Sequence, residues 1–116
     1  MIEPKCSFCR IIRGDASKPI LYHDQQVTAF DDIRPITPVH ILVVPNRHIE
    51  SLNDISEEDD ALLGHMISVA KMLAEEKGID QSGYRLVVNT GSHAGQSVFH
   101  LHLHLIGGRH MPFRFQ

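Results

Sequence analysis

Gly95-Gln96-Ser97-Val98-Phe99-His100-Leu101-His102-Leu103-His104-Leu105-Ile106-Gly107-Gly108 is the stretch that decides the fold. Apolar residues alternate with three histidines, the two-residue period of a strand, and a strand is expected over Ser97 to Ile106. Successive side chains of a strand point to opposite faces. His100, His102 and His104 therefore share one face, and Phe99, Leu101, Leu103 and Leu105 take the other. Neighbouring imidazoles on that face stand roughly 6–7 Å apart. One tetrahedral metal with metal–nitrogen distances of about 2 Å could not hold all three without distorting the strand. The row suits an elongated anionic ligand, a reaction site first and a metal site second.

Working outward, Tyr84 to Asn89 is a second strand, joined to the histidine strand by the glycine-containing loop Thr90 to Gly95. Val39 to Val44 is nearly continuous and β-branched, the pattern of a strand buried on both faces, and Pro45 ends it. Ile20 to His23 and Val27 to Phe30 are short strand candidates around Asp24-Gln25-Gln26, and Asp31 to Pro38 is a loop. Ser56 and Asp59 resemble a capping box opening a long helix to about Lys77, with Gly78 beyond its end. Leu62, Leu63, Met66, Ile67, Ala70, Leu73 and Ala74 form its apolar stripe. Ser7 caps a short helix from Phe8 to about Arg13, with Gly14 as its stop. Five strands, one long helix and one short one predict an α+β domain built on an antiparallel meander, one domain over residues 1–116.

Composition narrows the function. The chain has 116 residues, 42% of them hydrophobic and 22% charged, as in a soluble globular protein. A net charge of −3 gives no broad surface for nucleic acid or anionic membrane. No apolar run approaches the roughly 20 residues of a membrane span, and no N-terminal signal pattern is visible, so a cytoplasmic protein is expected. Nine histidines are the outlier. His23, His65, His93 and His110 have no argued role and default to the surface. The two cysteines form Cys6-x-x-Cys9, which in such a compartment disfavours a structural disulfide. The spacing is that of half a zinc site, and the alternative is a pair of buried thiols.

A neutral imidazole can attack phosphorus and split one hard displacement into two easier ones. It needs its other ring nitrogen held by an acceptor, such as a neighbouring carbonyl. Only His102 has an imidazole on each side. The amides of Gly95, Gln96 and Ser97 could form an anion nest, with Gln96, Ser97 and Asn89 adding side-chain donors. No Lys or Arg lies between Arg85 and Arg109, and no Gly-Lys-Ser/Thr element is present, which argues against a P-loop mechanism.

The run Gln96 to Ile106 resembles the histidine-triad motif, His-x-His-x-His followed by two apolar positions. Phe30-Asp31-Asp32-Ile33-Arg34-Pro35-Ile36-Thr37-Pro38-Val39-His40, then Pro45 and His48-Ile49, resemble the nucleoside-binding half of the same family. Gly83-Tyr84-Arg85-Leu86-Val87-Val88-Asn89 and Gly107-Gly108-Arg109 resemble its Hint branch. The likeness covers nearly the whole chain, except that His110-Met111-Pro112-Phe113-Arg114-Phe115 departs from the expected tail and contains no Trp.

The resemblance implies a five-stranded antiparallel sheet that pairs in a homodimer into ten strands. It implies hydrolysis of the P–N bond of purine nucleoside 5′-phosphoramidates such as AMP–amine conjugates, with no cofactor required for catalysis. By motif position His102 is the nucleophile, flanked by His104 and His100, with His40 supporting from its own strand. Asn89, Gly95, Gln96 and Ser97 would hold the phosphate. Asp32 would bind the ribose hydroxyls, and Phe8, Ile11, Phe30 and Ile33 would wall the purine pocket. Relatives with this N-terminal motif hold structural zinc at the positions of Cys6, Cys9, His48 and His100, whereas Hint-branch proteins usually work without it. The competing readings are a dinucleoside polyphosphate hydrolase of Fhit type, and a nucleotide- or zinc-binding interaction module with incidental catalysis.

Overall fold

A computed structural model describes residues 5–112. The elements run α1 (Ser7–Arg13), β1 (Tyr22–His23), β2 (Val27–Asp31), β3 (Val39–Pro45), α2 (Asp60–Glu76), β4 (Tyr84–Val87) and β5 (Leu103–Gly107). All five strands join one sheet in the order β1-β2-β3-β5-β4, each pair antiparallel. This is the expected α+β antiparallel sheet but not a simple meander, because β5 inserts between β3 and β4; its central strand β3 is buried almost throughout. Residues 113–116, the end of the divergent tail, and residues 1–4 of the expected domain lie outside the described residues.

Strand alternation sorts the side chains onto two faces. Val27, Ala29, Ile41, Val43, Leu101, Leu103 and Leu105 pack beneath α2, whose Leu62, Met66, Val69, Ala70, Leu73 and Ala74 face them. Phe30, Leu42 and Val44 point to the opposite face, where α1 lays Phe8 over them. Each fully buried side chain of this size contributes roughly 1.5–3 kcal/mol relative to exposure. The helix stripe differs from expectation at one place: Ile67 is exposed and Val69 is buried instead.

The capping box forms as read. The Ser56 hydroxyl accepts from the Glu58 amide at 3.3 Å, and an Asp59 carboxylate oxygen accepts from the Ser56 amide at 3.0 Å. It sits on a short 3-10 turn, Glu57–Asp59, which precedes α2. Arg47 pairs with Asp59 at 2.7 Å and ties the turn to the segment after β3. Two histidines given no role are engaged: His65 pairs with Asp24 at 2.6 Å, and His23 with the Thr28 hydroxyl at 3.0 Å.

Several boundaries move for identifiable reasons. The cap of α1 is Cys6, not Ser7, because the Cys6 sulfur accepts from the Cys9 amide at 3.4 Å. β1 begins at Tyr22, and β4 stops at Val87 short of Asn89. The histidine strand is shorter than Ser97 to Ile106: its ladder with β3 begins only at Leu103, opposite Val43. Pro45 has no N–H to continue it. The Pro45 carbonyl accepts from the His100 ring at 2.8 Å, while the Leu101 amide donates to the Ile49 carbonyl at 2.6 Å. The alternation nonetheless survives: Leu101 stays on the α2 face, and the three imidazoles stay on the other. Phe99 departs from it, half exposed.

Among the described residues no helix is long and apolar enough to cross a membrane.

Candidate active site

The face of the sheet away from α2 carries a cavity of about 650 Å³ between α1, the loop after β2 and the histidine segment. Phe8, Ile11, Phe30 and Leu42 form its apolar wall. The Phe8 ring meets Phe30 at a centroid distance of 5.4 Å and His102 at 5.1 Å, both edge-on. Asp32, Ile33, Asn89, Gly95, Ser97, His40, His102 and His104 also line this cavity, whereas the expected Gln96 and His100 do not. Ile33 is 83% exposed, so it forms the rim and not the floor.

Hydrogen bonds decide which ring nitrogen of each histidine holds the proton, because a carbonyl can only accept. His102 Nδ1 lies 2.7 Å from the His100 carbonyl oxygen and donates to it. The lone pair of a neutral His102 is thereby placed on Nε2. His100 Nε2 donates to the Pro45 carbonyl, which leaves the lone pair of His100 on Nδ1. His40 Nδ1 accepts from the Ile36 amide at 3.2 Å, so its proton is on Nε2, 2.9 Å from His104 Nδ1. His104 accepts there and carries its own proton on Nε2, a buried atom with no partner among the described residues.

Burial favours the neutral rings of His104, His100 and His40. His104 is pushed down to about 4, first by desolvation and then by its neighbours His102 and His40, with Asp32 opposing. His100 is likewise pushed down to about 4 by burial, the Pro45 carbonyl opposing and His48 and His102 adding to the depression. His40 shifts down for the same leading reason, with Asp32 opposing. Asp32 stands 3.2 Å from His40 Nε2, and its other oxygen accepts from the Arg34 amide at 2.9 Å.

The glycine loop corrects one expectation. The Gly95 and Gln96 amides are taken by the Ser92 and Gly91 carbonyls at 3.1 and 3.0 Å, so they cannot form an anion nest. The Gln96 side chain is buried: it accepts from the Gly91 amide at 2.8 Å and donates to the Glu50 carbonyl at 2.7 Å. Gln96 therefore shapes the loop and does not line the cavity. Gly95, at φ 88°, adopts the left-handed turn that delivers Ser97 to the cavity edge. Lys18 and Arg34, two basic side chains on the cavity, are given no role in the sequence reading; both come from loops outside the histidine segment.

Behind His102 lies the second cluster. Cys6 Sγ is 3.3 Å from His100 Nδ1, and Cys9 Sγ is 3.5 Å from His100 Nδ1 and 3.4 Å from His48 Nδ1. One donor atom from each of the four residues falls within 4.8 Å of every other. Zinc bonds of about 2.0–2.3 Å in a tetrahedron place neighbouring ligand atoms about 3.3–3.8 Å apart, which the observed 3.3–3.5 Å spacings match. The lone pair left on His100 Nδ1 faces the two sulfurs, as a ligand must. The donor set fits a zinc ion.

Comparison with known proteins agrees with the geometry. Residues 5–115 match the family model described as "Scavenger mRNA decapping enzyme C-term binding". The purine nucleoside phosphoramidase of Escherichia coli (strain K12) is 51% identical over 102 residues, covering 88% of this chain and 86% of that protein. A HIT family hydrolase from Clostridium thermocellum superposes with a TM-score of 0.95 at 41% identity, over 98% of this chain and 99% of that one. A histidine triad protein from Clostridium difficile gives the same score and identity over 99% and 100%. The alternating histidines on this cavity, in a match that runs along nearly the whole chain, place the protein in the histidine-triad (HIT) family.

Proposed function

We propose that the protein hydrolyses the P–N bond of purine nucleoside 5′-phosphoramidates, with AMP–amine conjugates as the substrate class. The observation that carries this reading is His102: its Nδ1–H is held by the His100 carbonyl, leaving a nucleophilic lone pair on Nε2 beside an aromatic-walled cavity. The phosphoramidase activity named for the Escherichia coli relative supports it.

In this mechanism the Nε2 lone pair of His102 forms a bond to phosphorus as the substrate P–N bond breaks. The departing nitrogen keeps the bonding pair and takes a proton from water, leaving as the amine. A second water then attacks phosphorus, the His102–phosphorus bond breaks, and AMP and a proton are released. His104, with its proton on Nε2, donates to the phosphoryl oxygens, assisted by Ser97 and Asn89. Gly95 lets the backbone approach the phosphate. Asp32 accepts from the ribose hydroxyls, and Phe8, Ile11, Phe30 and Ile33 enclose the purine. His100 orients His102 through its carbonyl, and His40 orients His104.

Cys6, Cys9, His48 and His100 would hold structural zinc. With four protein ligands the ion would be closed to substrate, clipping α1 to the histidine segment. A homodimer is part of the same reading, with the open edge at β4 extending the sheet to ten strands. The thiol cluster suits the reducing cytoplasm.

Turnover of an adenosine phosphoramidate, with trapping of an acid-labile AMP–protein adduct, tests the assignment. His102→Ala should abolish both adduct and turnover. Full turnover by that variant, or preference for a dinucleoside polyphosphate over the phosphoramidate, would sink the proposal.

A further inference from the structure

We propose that ribose recognition at Asp32 is coupled through His40 to the Nε2–H of His104, so that the ribose hydroxyls act on kcat as well as on binding. The inference rests on the reading of the cavity as a nucleotide site and adds a link that neither the motif nor the family match assigns.

His40 has a single ring proton to share. Its Nδ1 is committed as an acceptor to the Ile36 amide, and the Ile36 carbonyl is held from the other side by Arg109 at 3.3 Å. The proton on Nε2 meets two acceptors at once, His104 Nδ1 at 2.9 Å and an Asp32 carboxylate oxygen at 3.2 Å. The carboxylate carries the full negative charge, while the imidazole is nearer. Each acceptor weakens the hold of the other. Each Asp32 oxygen has one donor and a lone pair to spare, so a ligand hydroxyl can reach the oxygen shared with His40.

A hydroxyl donating to that oxygen withdraws charge from it and loosens its claim on the His40 proton. The His40 N–H then turns wholly to His104 Nδ1. Hydrogen bonds in a chain polarise one another, so accepting a stronger bond at Nδ1 makes the opposite Nε2–H of His104 a stronger donor. That donor is the buried group with no partner among the described residues. A phosphoryl oxygen beside His102 would supply its acceptor. Asp32 and His40 are thus positioning residues, and the sugar reports its arrival to the phosphate without touching it.

The same three residues could be mistaken for a metal site, since one donor atom of each lies within 4.8 Å of the others. The Ile36 amide argues against it. For Nε2 of His40 to bind a cation, its proton would have to move to Nδ1, where it would face another N–H.

The test compares a ribonucleotide with its 2′,3′-dideoxy counterpart in two readouts. In the first, long-range 1H–15N NMR of the intact protein follows the ring nitrogens of His40 and His104 during titration with AMP or 2′,3′-dideoxy-AMP. AMP should shift both rings, and the dideoxy nucleotide at saturation should leave them near the unliganded positions. In the second, the dideoxy phosphoramidate should lose about tenfold in kcat beyond any change in KM, a loss specific to the reacting state. Asp32→Asn and His40→Phe should each bring the two kcat values together, and His40→Phe should leave the difference in KM.

Identical ring shifts with both nucleotides, or a penalty confined to KM in the wild type, would overturn the coupling. Ribose-dependent shifts without turnover of any phosphoramidate would remove the proposed reaction and leave the coupling standing. Failure of AMP to bind would remove both. If His40→Phe does not fold, Asp32→Asn, which changes no volume, carries the kinetic arm alone.

Discussion

Removal of the zinc proposed for Cys6, Cys9, His48 and His100 should destabilise the protein by an amount its size allows us to work out. A site saturated to a thousand times its dissociation constant adds about 4.1 kcal/mol to the folded state. Unfolding entropy near 2.1 cal/mol/K per residue gives about 0.24 kcal/mol/K for a chain of 116 residues. The quotient is a fall in Tm of about 17 °C on complete chelation. The damage should start at α1, whose seven residues are too few to hold a helix unaided. Its anchors are the cluster at one end and Phe8 against Phe30, His100 and His102 along its length. The assay is elemental analysis of freshly purified protein, then differential scanning fluorimetry with and without a strong chelator, with zinc added back. Cys9→Ser should reproduce the chelated state and no longer respond to zinc. Protein that purifies metal-free and shows no movement of Tm with zinc would refute the reasoning and leave the cysteines as buried thiols.

Three other outcomes follow from local contacts. Gly107→Ala would place a Cβ 2.8 Å from Ile79 Cδ1 and 3.2 Å from the Gly83 carbonyl oxygen. The Ile79 tip can rotate away but the backbone oxygen cannot, so urea unfolding should show a loss of about 1–3 kcal/mol at unchanged slope. Ser56→Ala should cost about 1 kcal/mol in the same assay by removing the acceptor for the Glu58 amide. Stability should also fall on acidification. His104, held down to about 4, stays neutral in the folded chain, while the unfolded chain takes up that proton below the ordinary 6.5. The stabilisation is complete above 6.5 and is lost progressively between 6.5 and about 4; His40 shifts in the same direction and adds to the loss. Urea midpoints at about pH 7.5 and about pH 5 check the sign, and a higher midpoint at the acid end would contradict it.

What was legible in the sequence is what local chemistry dictates. The Ser56–Asp59 box spans four residues, β3 is an apolar run broken by His40, and the histidine alternation assigns faces whether or not the ladder extends that far. What was illegible depends on groups that carry no side-chain signature. The Ile36 amide sets the tautomer of His40, and the Pro45 carbonyl both holds His100 and helps end the ladder. Gln96 misled for a related reason: a primary amide can serve a ligand or the backbone equally well, and buried beside a tight turn it serves the backbone. The Cys6 cap was missed because a thiol is a weak acceptor and Ser7 stood next to it.

The two clusters on this face are one construction. Cys6 and His100 are separated by 94 positions and meet at 3.3 Å, and the backbone carbonyl of that same His100 fixes the proton on His102. A second path runs through Phe8, two residues beyond Cys6, whose ring packs on both His100 and His102. The first path reaches the tautomer of His102, the proposed nucleophile, and the second reaches the wall of the proposed nucleotide cavity, so they separate in kinetics. Phe8→Leu keeps an apolar wall and the His100 carbonyl, and should raise KM while leaving kcat nearly unchanged. Loss of the proposed zinc would disturb His100 itself and should lower kcat as well. If Phe8→Leu lowered kcat as much as chelation does, His102 would be held by packing on α1, and the carbonyl of His100 would not be the group that orients it.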